Sequence, residues 1–349
     1  MIASSNLSDI VGNAEYLAHR YDEFGDAFRF SPVPRELHRE CTFITDEHLP
    51  DDLPYSAFKR SDVTALEKPK APVHFIFHSA YCCSTMLARA FDIEGVSMGL
   101  KEPQILNDMI GWQRRGAPAD KHRQILDESL ALLERPFSGD RAVVIKPSNI
   151  CTPLAIPMLE MRPDARALLL YAPIKSFLLS IAKKEMWGRI WVRDVLLDTR
   201  KDGYLIGGFT DEDLLKLTDL QVAAVGWLSQ HAAFAKIVEA IGDDRVKTLD
   251  SETFLARSTE TIGAFSDFFG LDLTADKIDA VMAGPAFNSH SKLDQRKPGE
   301  IFDAKARTDE QNRMAELHGA EIDMITDWAQ AVAESQNIKM DIGPALLYG

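Results

Sequence analysis

Three short, largely apolar runs, set apart by helix-like stretches, constrain this chain more than any other feature of its sequence. They are Val73-His74-Phe75-Ile76-Phe77, Ala142-Val143-Val144-Ile145 and Ala167-Leu168-Leu169-Leu170-Tyr171. Pro72 precedes the first, Lys146-Pro147 follows the second and Ala172-Pro173 follows the third. Runs this short and without alternation read as strands buried on both faces, the hallmark of a parallel sheet covered by helices. Apolar residues at helical spacing lie between them, at Leu87, Ala90 and Phe91 and within 125–133 and 154–161. The predicted fold class is α/β, a mainly parallel sheet flanked by helices. Beyond residue 210 helical patterns dominate (211–241, 252–269, 274–282 and 308–334), with one short strand at 246–249, giving a largely helical C-terminal half. Residues 1–70 are polar, broken by Pro32, Pro34, Pro50 and Pro54, and read as helices and turns. They form an N-terminal extension packed on the core, with residues 71–349 as the α/β domain.

With 39 Lys and Arg against 53 Asp and Glu, the chain of 349 residues carries a net charge of −14. That balance argues against a nucleic-acid coat or an anionic-membrane binder. The sign reverses locally: residues 146–201 hold ten basic and five acidic side chains, which suits a polyanionic ligand. The four cysteines (Cys41, Cys82, Cys83, Cys151) show neither a disulfide framework nor metal-ligand spacing, so no metal is expected. The first residues lack a basic-then-apolar leader, and no apolar run approaches the roughly 20 residues of a membrane span. A cytoplasmic protein with no nucleic-acid or membrane partner is expected.

The segment after the first strand carries the chemistry. A loop, His78 to Cys83, leads into a helix opening with Ser84-Thr85. Strand, loop and helix start make the layout of a phosphate-binding loop, where backbone N–H groups and hydroxyls face an anion. The signature G-x-x-x-x-G-K-[ST] is absent, since no glycine or lysine lies between His78 and Thr85. The same pattern also fits a plain turn with a Ser/Thr cap, and by itself leaves both readings open.

A series of segments in order speaks for the first. Phe77 to Leu87 resembles the 5′-phosphosulfate loop of the sulfotransferase family. Lys101-Glu102-Pro103, Ile145-Lys146-Pro147, Arg162-Pro163-Asp164-Ala165-Arg166, Pro173 to Ser180 and 246–255 with 265–271 resemble later segments of that family, over roughly residues 73–300. The resemblance implies a P-loop-type α/β fold and transfer of a sulfuryl group from 3′-phosphoadenosine 5′-phosphosulfate (PAPS) to a hydroxyl or amine of a small-molecule acceptor, without a metal. The chain departs from it in three places. The family's loop Lys or Arg falls at Tyr81, its glycine at Cys83, and the arginine before the second loop's proline is replaced by Tyr171-Ala172. A nucleotide-dependent kinase and a non-catalytic anion-binding protein are the alternatives on this fold.

Sulfuryl transfer needs a base for the acceptor proton and cations for the charge on the leaving phosphate. Glu102 is the expected base. Lys146 is the expected strand-end cation, because α/β folds bind ligands at the C-terminal ends of their strands. His78 is a second base candidate. Donor contacts are expected from Ser79, Ala80, Tyr81, Cys82, Cys83, Ser84, Thr85 and Met86. By the resemblance, Lys101, Lys175, Ser180, Arg296 and Lys297 add to them. Lys101, Lys146, Lys175 and Arg89 are the cations available to replace the one missing at Tyr81. Trp187 and Trp191, at i and i+4, read as core rather than as a ligand platform.

Overall fold

The computed structural model describes residues 6–288 and 304–347. Its centre is a five-stranded parallel sheet flanked by helices. Three strands lie ahead of it in the chain: β1 (Tyr16–Asp22), β2 (Ala27–Pro32) and β3 (Ser56–Lys59). The central sheet is built from β4 (Val73–His78), β5 (Ser97–Lys101), β6 (Ala142–Lys146), β7 (Ala167–Tyr171) and β8 (Val246–Asp250), in the order β5-β6-β4-β7-β8. The chain leaves β4 for β5, returns to β6, then crosses to the other side for β7 and β8. The direction of winding therefore reverses at β4, and open α/β sheets bind their ligands at the C-terminal end of such a switch point. Parallel register sets Val73 opposite Val143 and Lys101 opposite Lys146, so β4, β5 and β6 all end at one edge.

Every residue of β4, β5, β6 and β7 is buried, as expected of strands covered on both faces. The strand β5 carries no signal in the sequence. Ser97-Met98-Gly99-Leu100-Lys101 has no β-branched residue and holds a glycine, both weak strand features. Gly99 is required by packing: a Cβ there would lie 2.1 Å from the backbone oxygen of Ala88, in the helix Ser84–Ala90.

The expectation of helices and turns before residue 70 is corrected in part. The strands β1, β2 and β3 form an antiparallel sheet, with Phe28 and Phe30 buried on either side of Arg29. Buried Arg135 donates to the carbonyls of Ile10, Val11, Asn13 and Tyr16 at 2.7–3.1 Å, and to Leu132 O at 2.6 Å. Burial among these carbonyls pulls its guanidinium down to about 9.

Several long helical stretches are broken. The stretch 211–241 is two helices, Asp211–Lys216 and Asp219–Ile241, each opened by a threonine capping box at Thr210 and Thr218. The stretch 252–269 divides into Ser251–Ala256 and Ser258–Phe269. The last helix runs Ala304–Ser335.

The chain divides into two compact units. One contains Met1–Phe77, Ser84–Ala167 and Thr259–Ile301; the other contains His78–Cys83, Leu168–Ser258 and Phe302–Gly349. In the second, the helices Ile174–Lys183 and Glu185–Lys201 are separated by Lys184 alone. Glu185 takes a left-handed φ of 50°, and a Cβ on Gly188 would lie 2.6 Å from Ile181 O.

Candidate functional site

The loop leaving β4 has an uncommon backbone. Ala80, Tyr81 and Cys83 have φ of 66°, 53° and 62°, left-handed values at three of four consecutive positions, none of them glycine. Each costs roughly 1–2 kcal/mol relative to right-handed backbone and persists only where neighbours hold it. Those neighbours are identifiable. Ala80 N–H donates to His78 Nδ1 at 3.1 Å, Ser79 N–H donates to Leu170 O at 3.0 Å, and Ala172 N–H donates to Ser79 Oγ at 3.3 Å. Between Tyr81 and the helix that opens at Ser84, left-handed and ordinary backbone alternate. Such alternation turns successive N–H groups toward a common anion-sized hollow. Ser84, Thr85 and Met86 begin the helix and are buried, as is Cys82, while Cys83 is half-buried. The helix that follows has only seven residues.

His78 is 4% exposed at the end of β4, and its Nδ1 accepts the Ala80 N–H. That nitrogen is thus engaged in shaping the loop. Burial pushes the Tyr81 hydroxyl above its ordinary range, and the ring packs 6.1 Å from Phe177 and 5.3 Å from Trp191, edge-on to the latter.

The strand-end pair expected from sequence is brought together. Lys146 is fully buried and its Nζ donates to Glu102 Oε1, a carboxylate whose side chain is 14% exposed. Glu102 itself has a φ of 55°, and its N–H donates to Lys146 O at 2.7 Å. The N-terminal extension frames this turn, a role without a signal in the sequence. Ile44 N–H donates to Lys101 O at 2.8 Å and Ile44 O accepts from Gln104 N–H at 3.2 Å, so Ile44 bridges the residues on either side of Glu102-Pro103. The Phe43 ring lies 5.0 Å from Lys146 Nζ, a cation–π distance.

Two of the other expected cations, Lys101 and Lys175, are engaged elsewhere. Lys101 is 2% exposed and its Nζ donates to the carbonyls of His38 and Cys41. Burial, with Arg89 nearby, pulls the amine down to about 7, where a neutral amine still has one N–H for each carbonyl. Lys175 forms a surface pair with Asp323 at 2.5 Å. Ser180 Oγ donates back along its helix to Ser176 O at 2.8 Å. Burial lowers the pKa of Arg89, in the last turn of the helix after the loop. Arg296 and Lys297 lie outside the described residues. The reading of Trp187 as core is corrected, since it is 59% exposed; Trp191 is half-buried. Among the described residues no group of three or more His, Cys, Asp or Glu is placed to hold a metal ion, and no helix is long and apolar enough to cross a membrane.

No family model and no curated protein matches this chain. Solved structures similar to it include the sulfotransferase domain from the curacin biosynthetic pathway, at 11% identity and a TM-score of 0.39, covering 72% of this chain and 98% of that one. They include the sulfotransferase domain of the Synechococcus PCC 7002 olefin synthase, at 11% identity and a TM-score of 0.38, covering 72% and 95%. A third is sulfotransferase STF9 from Mycobacterium avium, at 13% identity and a TM-score of 0.40, covering 73% and 77%.

Proposed function

We propose that the chain is a sulfuryl transferase that uses PAPS as donor and a hydroxyl or amine compound as acceptor. The observation that carries this reading is the left-handed φ of Cys83, the position where the resemblance puts the family's loop glycine. A residue held in glycine's conformation without being glycine points to a backbone geometry that serves a ligand. The alternating backbone from Tyr81 to Ser84, with its N–H groups, fits the phosphosulfate end of the donor.

PAPS supplies the sulfuryl group. The acceptor oxygen forms the new bond to sulfur while the bond from sulfur to the bridging phosphate oxygen breaks, leaving 3′-phosphoadenosine 5′-phosphate. Glu102 takes the acceptor proton. Protonation removes the negative charge that holds Lys146, so the ammonium becomes available as charge grows on the leaving oxygen. Phe43 supports that ammonium without using any of its N–H donors.

Thermal unfolding with PAPS, 3′-phosphoadenosine 5′-phosphate, and ATP with and without Mg²⁺ tests the reading. A ligand at a hundred times its Kd stabilises the folded state by about 2.7 kcal/mol. The two 3′-phosphorylated nucleotides are expected to raise Tm and ATP to have little effect. A response to ATP–Mg²⁺ alone would favour a kinase, and a response to none would remove the nucleotide altogether. A response to the product without any turnover of PAPS would leave a binding protein.

A further inference from the structure

We infer that the acceptor is an uncharged hydroxyl compound with a flat, apolar body, which lies on the paired tryptophans of the helix Glu185–Lys201. The inference rests on the sulfuryl-transfer reading, because it names that reaction's acceptor. A line of rings leads out from the loop: Tyr81 meets Trp191 edge-on at 5.3 Å, and Trp191 faces Trp187 at 6.3 Å with the planes only 13° apart. Tyr81 is one of the three left-handed loop residues, so this line begins on the anion-directed backbone itself. It ends in solvent. Trp187 is 59% exposed, and beside it on the same helix Met186 and Ile190 are 68% and 55% exposed.

Two nearly parallel indoles offer π faces to a flat molecule. The helix's cations are already used. Arg189 and Arg193 both pair with Asp219, at 3.4 and 2.7 Å, which leaves these two guanidinium groups engaged rather than open to a carboxylate or a charged sugar. Met186, Trp187 and Ile190 present exposed aromatic and aliphatic surface, and Tyr81 stands at the inner end of the line of rings.

Equilibrium dialysis with 2-naphthol as the probe tests this without any turnover. Wild-type protein is expected to bind 2-naphthol saturably and methyl glucoside not at all. Trp187→Ala is expected to bind naphthol roughly tenfold more weakly, the usual loss when one stacking ring is removed, and Trp187→Phe to keep most of the affinity. Because Trp187 is mostly exposed, the variants should unfold at the wild-type urea midpoint. Unchanged naphthol affinity in Trp187→Ala overturns the inference, as does methyl glucoside binding as well as naphthol. It also fails if wild type does not bind naphthol; loss of binding to phosphatidylcholine vesicles or of self-association in sedimentation by Trp187→Ala would then assign the face to a lipid surface or to a second copy of the chain. Trp187-dependent naphthol binding in a protein with no affinity for 3′-phosphoadenosine 5′-phosphate would uphold the flat-ligand site and remove the donor reading instead.

Discussion

Replacing Cys83 by glycine, alanine and valine tests the geometry on which the functional reading turns. At a φ of 62°, any residue with a Cβ bears roughly 1–2 kcal/mol of strain. Glycine bears none there, but loses about 0.5–1 kcal/mol through its freer unfolded chain. Cys83→Gly should therefore be about 0.5–1 kcal/mol more stable than Cys83→Ala. Valine adds a β-branch that left-handed backbone rarely accommodates, which places it about 2 kcal/mol below glycine. The assay is urea unfolding with the slope required to stay constant, so that midpoints report stability alone. In thermal unfolding the glycine–valine gap should be roughly 3 °C. Calorimetric titration with 3′-phosphoadenosine 5′-phosphate gives the functional half. Cys83→Gly should bind within about twofold of wild type, and Cys83→Val about tenfold more weakly, as its strain is relieved by flattening the loop and turning the N–H groups away. Valine as stable as glycine would mean that residue 83 is not left-handed in solution. Glycine weakening binding as much as valine would mean that the thiol, not the backbone, makes the site.

Other outcomes follow from neighbouring features. Glu102→Met should destabilise by roughly 3–5 kcal/mol because it strands the buried Lys146 ammonium, and the double variant Lys146→Met/Glu102→Met should recover most of that in urea unfolding; no recovery would mean that the pair is not coupled. Gly99→Ala should lower stability by at least 1–3 kcal/mol, since a Cβ 2.1 Å from Ala88 O forces β5 and the helix after the loop apart, and an unchanged Tm would refute that contact. Lys101 has its amine at about 7 when folded and near 10.5 when unfolded, so unfolding takes up a proton between these values and stability should rise with pH across that window. The slope is at most about 1.4 kcal/mol per pH unit and should vanish from the difference in Lys101→Met; identical pH profiles for the two proteins would show an ordinary amine.

The central strands were legible because burial on both faces removes polar residues from them, and that is visible one residue at a time. The strand β5 was not, since Gly99 answers to the carbonyl of Ala88 and not to any local preference. The alternation Phe28-Arg29-Phe30 did mark a half-buried strand, but it lies in a stretch whose prolines and polar residues suggest turns. The breaks in the long C-terminal helical stretches were also readable in principle. Thr210 and Thr218 are each followed three residues later by a side chain able to close a capping box, Asp213 and Gln221.

Amines are a harder case. Lys101 and Lys146 both end neighbouring strands at one sheet edge, and both were expected from sequence as cations for the site. Their different environments come from segments far away in the chain: the carbonyls of His38 and Cys41 take one amine, while Glu102 and the Phe43 ring take the other. Side chains successive along a strand alternate faces, but strand position alone does not say which backbone will cross above. The loop is illegible for the opposite reason. Nothing in Ala80-Tyr81-Cys82-Cys83 favours positive φ; glycine or asparagine would, and neither is present. Local preference and the observed backbone disagree there at three positions, and are reconciled by the contacts of Ser79 and His78. Disagreement of this kind, at three positions of one short segment, is the reason we propose a ligand at this loop, because a chain selected only for stability would have placed glycine there.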